Sequence, residues 1–116
     1  MSRRKRYQIT ATCYDKRGRV ISTGVNLYNK SHPLYKHFAV LAGESEEKIW
    51  QHAEFSACIA AGKKEIHSIF VERYHKDGSM ANAEPCKTCK LMLKAFDVKT
   101  IRYTHDDGMK EIINEY

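Results

Sequence analysis

The sequence predicts an α/β domain: a mixed, mostly parallel sheet in three layers, with helices on both faces. Three observations carry this. Two β-rich runs are joined by a tight Asp15-Lys16-Arg17-Gly18 turn, two later helical patterns are each followed by a short β-branched run, and chemistry-bearing residues stand at the start of each of those helices. Helices that alternate with strands pack on a sheet, and open α/β sheets gather their sites at the carboxyl ends of the strands.

Taken in order, Ser2-Arg3-Arg4-Lys5-Arg6 is a basic run that reads as a flexible, solvated terminus over residues 1–6. From Tyr7 to Cys13 the β-formers Tyr7, Ile9, Ala11 and Cys13 alternate with polar residues, the pattern of a half-buried strand. Val20 to Leu27 returns from the turn as its antiparallel partner. Tyr28 to Ile49 is of mixed polarity, with His32-Pro33 fixing extended backbone at His32 and a short helix expected from about Leu34 to Leu41. Lying between the hairpin and the next helix, this segment is placed to line a pocket mouth. Taken singly, His32 and His37 read as exposed side chains, and His32 is the stronger binding candidate because Pro33 stiffens it.

Gln51 to Ala61 sets Phe55, Cys58 and Ile59 among the small Ala53, Ala57 and Ala60, giving a helix packed closely on a sheet and ended by Gly62. Ile66 to Glu72 is the next strand, expected to run parallel to the hairpin through the crossover that this helix supplies. Arg73 to Glu84 is a polar loop. Cys86 to Phe96 continues as a helix with Leu91, Met92, Leu93, Ala95 and Phe96 as core, and Lys99 to Thr104 is a further strand. Asp106-Asp107-Gly108 is expected to open a short terminal helix reaching about Glu115.

The 116 residues make one domain with one core, over residues 1–116. A net charge of +6 suits an anionic partner or a basic solvated surface. Four cysteines without a signal peptide point to a reducing, cytoplasmic compartment and to thiol or metal chemistry. No apolar run approaches the length of a membrane span, so no membrane is expected as a partner.

The chemistry concentrates in Pro85-Cys86-Lys87-Thr88-Cys89 and His52-Ala53-Glu54. With Pro85 at the first helical position, Cys86 and Cys89 put two sulfurs on one side of a helix N-terminus, where unpaired N–H groups and the dipole stabilise thiolates. Two thiolates and the His52 imidazole make three of the four tetrahedral ligands of Zn2+, with the fourth position left to water. Glu54 is poorly placed to join its neighbour on the same ion, and it suits proton transfer. Cys13 and Cys58, each in an apolar pattern, read as small buried hydrophobes.

His-x-Glu opening one helix and Pro-Cys-x-x-Cys opening another resembles the cytidine/deoxycytidylate deaminase superfamily, and within it the small phage-type dCMP deaminases. The resemblance runs from about Tyr7 to Tyr103. It implies zinc held by His52, Cys86 and Cys89, with Glu54 as the catalytic acid/base. It also sets Asn26, in Gly24-Val25-Asn26, against the substrate sugar. Read from their own chemistry, Tyr28 or Tyr35 suits stacking on a single base and His32, Lys30 or Lys36 suits contact with one phosphate, and Ala53, between His52 and Glu54, is a further candidate contact. The implied reaction is hydrolytic deamination of the cytosine ring of a free pyrimidine nucleotide, dCMP giving dUMP and ammonia. The alternatives are a polynucleotide deaminase acting on cytosine or adenine in single-stranded DNA or RNA, a nucleoside deaminase, and a non-enzymatic zinc module, for which Glu54 has no use. Many members carry a helix before the hairpin that this chain has no room for, which points to burial of the uncovered surface in a homo-oligomer.

Overall fold

The computed structural model describes residues 9–26, 33–43 and 52–113. Strands β1 (Thr10–Tyr14) and β2 (Val20–Val25) form the expected antiparallel hairpin. Its turn follows from Asp15, whose Oδ1 accepts hydrogen bonds from the Arg17 and Arg19 amides at 2.9 Å each, while Gly18 takes a left-handed φ of 81°. Helix α1 (Pro33–Leu41) precedes α2 (Ala53–Ala61), and strand β3 (Ser68–Glu72) follows. Helix α3 (Lys87–Ala95), strand β4 (Thr100–Tyr103) and strand β5 (Lys110–Ile113) complete the described elements.

The five strands form one mixed sheet in the order β2-β1-β3-β4-β5. Its pairings correct the expected mostly parallel arrangement, because β1–β2, β1–β3 and β4–β5 are antiparallel and β3–β4 alone is parallel. The physical reason lies in where the α2 crossover lands. Since β2 and β3 are each antiparallel to β1, α2 does join two strands that run the same way, but β1 lies between them and takes both ladders.

One face of the sheet carries the core. Register sets Ala11 opposite Val71 and Cys13 opposite Ile69, then Ile69 opposite Ile101 and Val71 opposite Tyr103, and all of these are buried. Phe55, Ala57, Cys58, Met92 and Leu93 from α2 and α3 join the same cluster, with Phe38 of α1 at its margin. The approach of α2 is close: a Cβ on Gly24 would overlap the backbone nitrogen of Ala57 and stand 2.8 Å from the Ala53 carbonyl oxygen. Ser22 donates a hydrogen bond from its hydroxyl to the Ala57 carbonyl at 2.8 Å across the same contact.

The helices expected on both faces are met on this one among the described residues. The other face presents Thr10, Thr12, Tyr14, Phe70, Thr100 and Arg102, all half-exposed. Its polar and amphipathic side chains tolerate water, and the Arg102 guanidinium lies 5.9 Å from the Tyr14 ring centroid. A second correction concerns the C-terminus. Instead of a helix after Asp106-Asp107-Gly108, β5 pairs back on β4, Tyr103 opposite Lys110 and Ile101 opposite Ile112. A single helical turn or two is marginal alone, whereas the open edge of β4 offers a ladder of backbone groups.

Candidate metal centre and active site

Helices α2 and α3 start at the end of the sheet where β2 and β3 finish, so their N-termini meet. His52 is the N-cap of α2, with extended backbone (φ −76°, ψ 158°), and its imidazole makes no capping hydrogen bond. Cys86 is the N-cap of α3, so Pro85 stands one place before the cap, outside the first helical position expected for it. Cys86 Sγ accepts a hydrogen bond from the Cys89 amide at 3.5 Å, the helix-end stabilisation that the spacing implies.

The two helix starts bring one nitrogen and two sulfurs together. His52 Nδ1 lies 3.7 Å from Cys86 Sγ and 3.4 Å from Cys89 Sγ, and all three ligand atoms lie within 4.8 Å of one another. Tetrahedral zinc with bonds of about 2.3 Å to sulfur and about 2.0 Å to nitrogen sets N···S edges of about 3.5 Å. The site fits zinc. Cys89 is fully buried and Cys86 half-buried. The Cys86 thiol is pulled down to about 3, first by its hydrogen bond with the Cys89 side chain, against burial, and then by His52 and the Cys89 amide.

Glu54, in the first turn of α2, is buried. Desolvation pushes its carboxyl above the usual range, opposed by a backbone hydrogen bond and the His52 charge, while the Cys86 thiolate adds to the rise. A hydrogen bond with the Cys89 side chain ties the carboxyl to the ligand triangle. Ala53 is buried as the first residue of α2, its carbonyl oxygen turned to Gly24.

Asn26 follows β2 directly. Its Oδ1 accepts from the Ile9 amide at 2.9 Å, and its own amide donates to the Ile9 carbonyl at 3.3 Å. That leaves the side-chain Nδ2, buried and without a hydrogen-bond partner among the described residues. Tyr28 and His32 lie outside the described residues, while His37 is exposed on α1, edge-on to Phe38 at 5.7 Å. Cys13 and Cys58 are buried as expected, and they pair with each other: the hydrogen bond that Cys58 donates to Cys13, with burial, pushes the Cys58 thiol up, so it stays neutral.

A family profile described as the cytidine and deoxycytidylate deaminase zinc-binding region matches residues 1–105. The chain belongs to that family. It is a zinc-dependent hydrolase, and the His52, Cys86 and Cys89 triangle is the place for the zinc. Among solved structures it is similar to a mutant cytidine deaminase from Mycobacterium tuberculosis, with a TM-score of 0.50 and 18% identity over 90% of this chain and 72% of that one. This likeness is one of fold. No curated protein sequence matches the chain.

Two features of this deaminase were not legible in its motifs. Thr88, between the paired cysteines, is buried, and Thr104 is a buried hydrogen-bonding hub whose partners lie 23 and 31 residues away in sequence. A cleft of about 640 Å³ opens at the other end of the sheet, where Lys16, Arg17, Lys64 and Lys99 surround Ile21 and Ile66. Those cations sit beside the C-terminal ends of α2 and α3, whose dipoles favour positive charge. Among the described residues, no helix is long and apolar enough to cross a membrane.

Proposed function

We propose that this deaminase acts on the cytosine ring of a free nucleotide, converting dCMP to dUMP and ammonia, as a cytoplasmic homo-oligomer. The observation that carries the proposal is a buried Glu54 set against His52, Cys86 and Cys89, at the end of the sheet where β2 packs on the start of α2 and runs into Asn26, whose buried Nδ2 has no partner among the described residues. A structural zinc site has no use for a desolvated carboxylate. Support for a mononucleotide comes from charge placement. A strand-binding site wants cations and stacking aromatics along a track to the reacting base, yet Lys16, Arg17 and Lys64 lie at the far end of the sheet.

In this reading His52 Nδ1, Cys86 Sγ and Cys89 Sγ hold the metal. Zinc, when bound, supplies a Lewis acid that brings the pKa of water from about 15.7 towards about 7. Glu54 takes a proton from water and passes it to ring N3 as oxygen adds at C4; it then takes the remaining proton of the new C4 hydroxyl and delivers it to the departing amine as the C4–N bond breaks and C4=O forms. Its burial is what makes it a usable base, because a desolvated carboxylate is more basic than one in water. Asn26 donates its Nδ2–H to a sugar hydroxyl, and Ala53 closes the wall between His52 and Glu54. Tyr28 and His32 are the proposed contacts to base and phosphate.

The test is a screen of zinc-loaded protein against cytidine, deoxycytidine, CMP, dCMP and single-stranded DNA, following loss of the amine. The expected result is the highest kcat/KM on dCMP. Conversion of cytosine within an oligonucleotide, with dCMP left untouched, overturns the choice of substrate. For the assembly, light scattering is expected above the 13.4 kDa of one chain, and a monomer alone at working concentration counts against it.

A further inference from the structure

The segment that delivers the cysteines to His52 is the excursion from Arg73 to Pro85. It is more ordered than its polar composition suggests. Tyr74 and Met80 form an isolated antiparallel bridge, the His75 amide donates to the Ser79 carbonyl, and the Ala81 amide donates to the Arg73 carbonyl, both at 2.9 Å. The excursion is thus a small hairpin standing on a stem, with Arg73 on one side and Ala81 on the other. Beyond the stem the chain runs through Asn82, Ala83, Glu84 and Pro85 to Cys86.

Both sides of the stem are held by one residue from the end of β4. The fully buried Thr104 hydroxyl accepts from the Arg73 amide at 3.0 Å and has its own proton shared between the Ala81 carbonyl at 2.8 Å and the Arg73 carbonyl at 3.1 Å. Its backbone completes the grip, since the Ala83 amide donates to the Thr104 carbonyl at 2.8 Å and the Thr104 amide to the Val71 carbonyl at 3.1 Å. Ala81 and Ala83 are buried, so the chain has little room to relax between the stem and the N-cap of α3. Further out, Asn82 Oδ1 accepts from the Glu84 amide at 2.9 Å, and Lys90 Nζ reaches Glu84 Oε2 at 2.7 Å.

We propose that Thr104 is the positioning residue of the metal centre: its hydroxyl sets the register at which the Arg73 to Pro85 segment presents Cys86 and Cys89 to His52. Nothing in the metal chemistry itself demands a threonine there. The hydroxyl is needed because it alone can accept from one side of the stem and donate to the other within a dry site. Thr104 touches neither metal nor substrate. The inference rests on the zinc reading above.

The experiment compares Thr104→Val, which keeps the shape and loses the hydroxyl, with Thr104→Ser, which keeps the hydroxyl. Zinc affinity is measured by chelator competition, and the ligand set by the sulfur-to-metal absorption of the cobalt-substituted protein. Thr104→Val is expected to weaken zinc about tenfold or more, on the scale of lost outer hydrogen bonds, and to shift the cobalt bands, while Thr104→Ser restores both. Unchanged affinity and bands in Thr104→Val overturn the proposal. Should Thr104→Val not fold, amide hydrogen exchange on the unaltered protein decides: zinc is expected to slow the Arg73, Ala81 and Ala83 amides while leaving the Asp15–Gly18 turn unaffected. Indifference of those three amides also overturns it. Failure of the unaltered protein to bind zinc would instead sink the metal reading.

Discussion

The Nδ1 of His52 lies 3.4 Å from the Sγ of Cys89, although 37 residues separate them in sequence. Two helix N-termini that happen to start at one end of the sheet make this contact, and the metal chemistry depends on it. Local chemistry sets each residue at a helix start, and only the fold brings the two together.

Losing either sulfur should therefore cost metal before it costs anything else. Cys86→Ser and Cys89→Ser are each expected to lose zinc at stoichiometric loading, and to lower the melting temperature of the loaded protein, because binding free energy is coupled to folding. Metal analysis after gel filtration checks the first and thermal denaturation the second. Unchanged zinc in both variants removes the site.

Glu54→Gln should separate catalysis from structure. The variant is expected to keep about one zinc per chain and to lose turnover by about a thousandfold or more, at the scale of a proton-transfer residue. Burial raises the Glu54 carboxyl in the folded state, so its contribution favours folding at acid pH and is lost as pH rises through the raised value. Metal-free Glu54→Gln should accordingly be more stable than the unaltered chain at neutral pH, and the gain should vanish below the ordinary carboxylate range. A variant that is less stable at neutral pH and still active contradicts the assignment.

Cys86 offers a pH test of the helix end itself. With its thiol pulled down to about 3, the metal-free protein carries a thiolate at neutral pH. Iodoacetamide should label Cys86 at a nearly constant rate between about pH 9 and pH 5, where an ordinary thiol of pKa about 8.5 loses about tenfold per unit of pH. Peptide mapping by mass spectrometry gives the rate, and zinc should suppress it. An ordinary thiol profile at Cys86 would show that the Cys89 side chain, His52 and the cap do not hold the thiolate.

Gly24 tests the seat of α2. A methyl group there meets backbone atoms of Ala53 and Ala57, which cannot turn aside as a flexible side chain would. Gly24→Ala is expected to cost about 2–3 kcal/mol and to weaken zinc as well, since α2 carries His52 and Glu54. A melting temperature within a degree of the unaltered protein would mean that the helix rides higher than the structure has it.

The sequence by itself determined the elements that rest on local chemistry. The Asp15 to Gly18 turn, the Gly62 stop after α2 and the alternation of Ala11 and Cys13 each follow from side chains acting within a few residues of themselves, and so does the placing of His52, Cys86 and Cys89 at helix starts. Tertiary structure alone decided what depends on which backbone groups are left unpaired. The chain after Gly108 becomes β5 because the edge of β4 is open, and β1 lies between β2 and β3 because the α2 crossover passes over it. Thr104 is the same case at the scale of one side chain. Its hydroxyl bonds groups 23 and 31 residues distant, and no pattern within the chain marks a residue whose partners are brought to it only by the folded sheet.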